Sequence, residues 1–246
     1  MYKKWTVLAV SAMIISSAAV PVLSISPGGS RILPPNASAF GQGLTAWTEA
    51  YWRWFYTGGA AATEPYKPGA APLVFMPIPQ GDYLSGSFTA DDPGYLQGSL
   101  TVTISPGTAF FLPCFAWIAE RYNTGQVDDP SVPNDLIQTV AIHPNGAGLP
   151  EVTLDGQPIL QNFWSYYVGP NAFDPIVTYP EPWDYGSIAA IAYQGVGFVA
   201  QPLPPGTHTL HLFERLRITN NELPGYPLPL DFGVIYDNTW TIVVQP

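Results

Sequence analysis

The chain has 246 residues, 47% of them hydrophobic and 14% aromatic, enough to bury one substantial core. Its 18 acidic residues outnumber 8 basic ones for a formal charge of −10, which excludes the electrostatic attraction that a nucleic acid or an anionic lipid surface exploits. Charged residues make up only 11% while Pro (28) and Gly (23) abound, a balance that argues against disorder and for short strands joined by many turns.

In chain order, MYKKWTVLAVSAMIISSAAVPVLS comes first, with Lys3 and Lys4 ahead of an apolar run from Trp5 to about Val22 and small residues after it. That is the pattern of a secretory signal, expected over residues 1–24 with cleavage after Ala19 or Ser24; Ala37-Ser38-Ala39 offers a later site. The competing reading is an uncleaved anchor, since the run approaches the lower limit of a membrane span. Cleavage implies a secreted or periplasmic protein with no membrane contact beyond the signal. Residues 25–42 read as an extended, Gly/Pro-rich lead-in, and 43–246 as a single domain.

The stretch WTEAYWRWFY (47–56) packs six aromatic side chains into ten positions. At 100° per residue Trp47, Tyr51, Trp52, Trp54, Phe55 and Tyr56 sweep about 200° of a helix, leaving Glu49 and Arg53 as an i,i+4 pair on the remaining strip. Gly58-Gly59 then ends the helix. A helix apolar over more than half its circumference belongs in a core.

Beyond a Pro-rich connection the period becomes two. Leu100, Val102 and Ile104 alternate with Ser99, Thr101 and Thr103, a Ser-Pro-Gly turn follows, and TAFFLPCFAWI starts another strand. Residues 134–142 fit a short helix or a strand equally well. EVTL, Asp155-Gly156 and QPIL form a hairpin signal, and further strands are expected at 163–168, 195–200, 207–218 and 239–244. The sum is a mainly β chain: an antiparallel β-sandwich of the jelly-roll or immunoglobulin-like sort, with one aromatic-rich N-terminal helix.

GxSxG, HExxH, CxxC, Walker and EF-hand signatures are missing, so the common hydrolase, zinc and nucleotide chemistries have no foothold and no cofactor or metal is expected. Cys114 is the lone cysteine, which rules out an intramolecular disulfide. Gly195 to Ala200 fits GxGxxA formally, but QPLPPG follows where a dinucleotide motif must open a helix. Of His143, His208 and His211, the last two are three apart and face opposite ways on a regular strand, which suits a turn-fixing His208 and a solvent-facing His211 rather than a metal.

Glu214 shares its parity with Leu210, Leu212, Leu216 and Ile218, so it falls on the core side of its strand, where a carboxyl costs free energy unless paired and would carry a raised pKa suited to a general acid. A bulge near Phe213 would instead turn it outward. A second carboxylate for glycoside-type chemistry would come from Glu49 or Glu120, with His211 assisting. The segment 163–185 sets rings among prolines and acids; Trp164, Tyr166, Tyr179, Trp183 and Tyr185 are candidates for stacking on a sugar, or for capping one end of the sandwich.

Four segments in order resemble a group of uncharacterised exported bacterial proteins. WTEAYWRWFY is similar to their W-x-x-x-W-W-x-W helix, TVTISPGTAFFLP to their strand and Pro-Gly turn, VTLDGQPI to their Asp-Gly hairpin, and GVGFVAQPLPPGTHTLHLF to their L-x-P-G-x-H-T-I-H-F strand. The coinciding positions are Trp47, Glu49, Trp52, Trp54, Asp155, Gly156, Pro205, Gly206, His208, Thr209 and His211. This chain has Tyr51-Trp52 where such relatives have Trp-Trp, and one cysteine where they often have a pair. The resemblance implies no activity. The expectation is therefore a non-catalytic protein that binds an extracellular glycan or cell-envelope component through aromatic side chains. The alternative is an extracellular polysaccharide hydrolase or lyase using Glu214 with Glu49 or Glu120.

Overall fold

A computed structural model describes residues 31–129, 150–183, 186–219 and 231–245. The expected signal segment, the ambiguous stretch 134–142 and His143 lie outside these residues.

The aromatic stretch forms helix α1, Leu44–Tyr56, which buries Trp47, Thr48, Tyr51 and Trp52. Gly58, at φ +132°, takes the chain out of the helix through backbone that other residues rarely adopt. Glu49 and Arg53 pair at 2.8 Å as their spacing requires. Their strip does not simply face water: Arg53 donates to the Pro175 carbonyl at 2.8 Å and lies 5.2 Å from the Phe173 ring centroid, so the polar side of the helix is anchored too.

Among the described residues ten strands follow: β1 (Leu73–Phe75), β2 (Asp82–Ser85), β3 (Gly94–Ile104), β4 (Ala109–Tyr122), β5 (Glu151–Leu154), β6 (Gln157–Pro158), β7 (Tyr167–Thr178), β8 (Ser187–Ala200), β9 (Gly206–Thr219) and β10 (Asp231–Val244). They make a four-stranded sheet in the order β1-β4-β8-β7 and a six-stranded sheet in the order β2-β3-β10-β9-β5-β6. The expected all-antiparallel arrangement is corrected here, because β1 runs parallel to β4, and β3 parallel to β10 over eleven residue pairs from Gly94 to Ile104. Alternation of side chains is the same in both kinds of ladder, so period two reveals a strand without revealing the direction of its neighbour. The Asp-Gly hairpin forms as read, with Asp155 at φ +52° and Gly156 at φ +73° joining β5 to β6.

One hydrophobic cluster draws on both sheets, joining Val74, Phe110, Leu112 and Phe198 to Val102, Leu212, Trp240 and Ile242. A second lies between the four-stranded sheet and α1, joining Phe75, Phe111, Tyr193 and Val199 to Trp47, Tyr51 and Trp52. The four-stranded sheet is thus covered on both faces, which explains the near-continuous apolar run of β4, whereas the outer face of the six-stranded sheet exposes Ser99, Thr101, Thr103, Thr207 and Thr209. The described part of the stretch read as an extended lead-in, residues 31–42, joins this structure: Ile32 is buried and bridges Ala200, and the Trp47 indole donates to the Ala39 carbonyl at 3.1 Å. Among the described residues no helix is long and apolar enough to cross a membrane.

Candidate functional site

Strand β9 pairs with β10 without a register shift from Gly206 to Thr219, so no bulge intervenes and the parity reading of Glu214 holds. Glu214 is 5% exposed, and its Oε1 has no hydrogen-bond partner among the described residues. Burial holds its pKa well above the ordinary glutamate value.

The carboxyl lines a half-open cavity of about 270 Å³. Strand β4 contributes Pro113 to Ala116, β9 contributes Leu212 and Leu216 beside Glu214, β10 contributes Tyr236, Asn238 and Trp240, and α1 adds Trp52 and Phe55. Two local features open this space. Strand β1 ends at Phe75, opposite Phe111, so β4 has no β1 partner from Leu112 onward. There β4 also bulges, with Pro113 facing Gly197 and Phe115 facing Val196 while Cys114 is skipped. The Gly-Val-Gly of β8 accommodates the bulge: a Cβ on Gly195 would lie 2.1 Å from the Phe115 carbonyl oxygen, and one on Gly197 2.8 Å from Phe111 Cζ. The floor of the cavity is buried, and Phe55, Phe115, Leu216 and Tyr236 are half-exposed around its mouth. Tyr236 sits directly across the ladder from Glu214, and burial followed by the neighbouring carboxyl pushes its phenol up to about 12. The buried Cys114 thiol is raised by the same two causes, so it is a protonated wall group rather than a nucleophile.

The other candidate acids lie elsewhere. Neither Glu49 nor Glu120 lines the cavity. Glu49 is engaged by Arg53 along α1. Glu120 lies four residues beyond Ala116, about 13 Å along the strand, where its Oε1 accepts from the buried Tyr179 hydroxyl at 2.6 Å. The nearby Asp128 carboxylate accepts from the Glu120 backbone N–H at 2.9 Å and the Tyr122 hydroxyl at 3.2 Å, closing the turn after β4.

His211 faces outward from the six-stranded sheet, with Nε2 2.7 Å from Asp237 Oδ1, while Tyr95 and Gln97 donate to Asp237 Oδ2 at 2.6 and 3.1 Å. It is on the opposite side of β9 from Glu214 and cannot assist it. His208 fixes the turn as expected: one ring nitrogen is 2.9 Å from the Pro204 carbonyl, the other 2.8 Å from Asp155 Oδ2. Asp155 Oδ1 also accepts from the Thr209 N–H at 2.9 Å, and although partial burial opposes it, this set holds Asp155 below the usual carboxylate range.

Of the rings proposed for sugar stacking, Tyr166 and Tyr179 are buried, Tyr166 donating to the Leu33 carbonyl at 3.0 Å. Trp164 is half-buried against the inter-sheet cluster. Trp183 is 37% exposed, edge-on to Tyr56 and Tyr179 at 6.2 Å from each. Tyr185 lies outside the described residues. What sequence reasoning missed is the remainder of the cavity: Cys114, Tyr236, Asn238 and the two α1 rings meet Glu214 only through tertiary pairing, and Glu214's own parity was the single signal pointing there.

Comparison of the chain with known protein families, curated proteins and solved structures found no match.

Proposed function

We propose that this protein binds a small, largely apolar molecule in the cavity between its sheets and does no chemistry on it. The observation that carries the reading is Glu214, a buried acid that lines a largely apolar cavity and has one carboxyl oxygen without a hydrogen-bond partner among the described residues. Buried polar groups left without partners are rare, and a cavity that opens onto one is a natural place for a ligand. A hydrolase or lyase is less well supported, because its second carboxylate would have to come from Glu49 or Glu120, and each is engaged away from the cavity. The test is a thermal-shift and calorimetric screen of small apolar compounds on the purified protein and on Ala116→Phe, which fills the mouth. Binding that Ala116→Phe abolishes supports the reading, and binding left unchanged would sink it.

Trp183 favours a second reading, contact with an extracellular glycan, since its partly exposed ring is braced by Tyr56 and by Tyr179, whose hydroxyl donates to the Glu120 carboxylate. A glycan array with Trp183→Ala as control tests it. The same proposal takes the protein as exported, related to the uncharacterised exported proteins its motifs resemble, and takes the two sheets as a β-sandwich. Its parallel β3–β10 pairing departs from an all-antiparallel jelly-roll or immunoglobulin-like strand order.

A further inference from the structure

The walls of the cavity narrow the chemistry of what fits. Five rings from three layers of the molecule contribute to them: Trp52, Phe55, Phe115, Tyr236 and Trp240. Flat apolar surface on several sides suits a ring-shaped ligand, for which both burial and aromatic edge contacts are favourable. An apolar cavity of about 150 Å³ holds benzene; at about 270 Å³ this one suits a molecule of roughly ten heavy atoms.

Charge is excluded from both sides. Among the described residues the lining contains no Lys, Arg or His, so an anionic ligand would be buried with no counter-charge from them and beside an acid. A cationic ligand would have to ionise Glu214 and hold a salt bridge among aromatic walls, where desolvation of two charges offsets their attraction. What the carboxyl can do at low cost is remain protonated and share one hydrogen bond. We infer that the ligand is a neutral, ring-shaped molecule presenting one hydrogen-bond acceptor, such as a ketone or ether oxygen, to the Glu214 carboxyl. This rests on the proposed binding role of the cavity and specifies its ligand class.

Four probes of nearly equal size and shape separate the possibilities: acetophenone (neutral acceptor), cumene (apolar), benzoate (anion) and benzamidine (cation). Affinities are measured at neutral pH by calorimetry and saturation-transfer NMR. The expected order places acetophenone about tenfold ahead of cumene, a ratio set by one hydrogen bond of ordinary net strength, with both ions at least tenfold weaker than acetophenone. Glu214→Gln, whose amide N–H still donates, should keep the acetophenone preference within about threefold, and Glu214→Leu should erase it while cumene binds as well or better. Both variants remove an ionisable group from an apolar site, and circular dichroism verifies that they fold. Should benzamidine bind best, Glu214 is an ionised counter-ion and the neutral-ligand assignment is overturned. Cumene and acetophenone binding equally, with Glu214→Leu indifferent, overturns it as well while leaving the cavity a binding site. If no probe enters the wild-type protein, the binding role itself fails.

Discussion

At the scale of single residues, Glu120 is held by the Tyr179 hydroxyl, 59 residues later in the chain, while Glu214 sits on the inward face of β9, a strand with no bulge to turn it outward. The buried acid has a consequence for stability. Its folded-state pKa is raised above the usual value of 4.5, so the folded chain holds a proton that the unfolded chain gives up. The stabilisation is fully present below about pH 4.5 and is lost as the pH rises through the raised folded value, with a slope of up to about 1.4 kcal/mol per pH unit from this group. Denaturant unfolding of wild type and Glu214→Gln across pH 4 to 8 isolates the effect, since the difference between the two cancels the carboxylates shifted the other way, Asp155 and Asp237. Wild type should lose stability relative to the variant as the pH rises; parallel curves would mean that the carboxyl is not desolvated. Ring by ring, the helix divides as well. Trp47 is buried and hydrogen-bonded, so Trp47→Ala should cost about 3–5 kcal/mol. Trp54 is half-buried and stacks on the exposed Tyr66 at 5.3 Å, so Trp54→Ala should cost less, about 1–2 kcal/mol, by the same measurement.

At the scale of elements, the helix, the hairpin and most strands were legible, since each announces itself through period, turn residues and length. The β4 bulge was not. FFLPCF reads as one uninterrupted apolar run, and the glycines that permit the bulge lie on the neighbouring strand, in a Gly-Val-Gly that resembles a nucleotide motif only in its letters. Those glycines are where cavity and sheet depend on each other. Gly195→Ala would drive a methyl into the Phe115 carbonyl, so the β4–β8 ladder must shift; a loss of about 1–3 kcal/mol is expected, the cost of overpacking a tight contact, together with lost probe binding in the cavity. Gly156→Ala provides the contrast. Its Cβ would meet nothing within 4 Å, but φ is +73°, so a comparable destabilisation of about 1 kcal/mol should leave probe binding intact. Equal effects of the two variants on binding would show that the bulge does not shape the cavity.

For the whole molecule, the layering follows from how apolar residues are distributed among strands. A strand covered on both faces must be apolar at consecutive positions, as Ala109 to Cys114 are, and a strand covered on one face alternates, as β3 does. Strand order and direction do not follow, because they are fixed by contacts between distant segments such as β3 and β10. The beginning of the described chain illustrates the difference. By composition residues 31–42 are a Gly/Pro-rich lead-in, yet Ile32 is 2% exposed against both sheets, Leu33 donates to the Val199 carbonyl at 2.9 Å, and Ala39 receives the Trp47 indole. Removing this segment would strip a strand bridge from the edge of β8, uncover the inter-sheet cluster and orphan a buried indole N–H. A chain beginning at residue 25 should therefore fold fully. One beginning at residue 40, as processing after Ala37-Ser38-Ala39 would produce, should lose at least about 3–5 kcal/mol, the sum of a buried isoleucine and an unsatisfied donor. Comparing the urea midpoints of the two chains measures this directly. Coincident midpoints would mean that the segment is an appendage. A large gap would also make cleavage after Ala19 or Ser24, rather than at Ala37-Ser38-Ala39, the processing compatible with a folded protein, because processing that discards Ile32 removes part of the core on which both sheets rest.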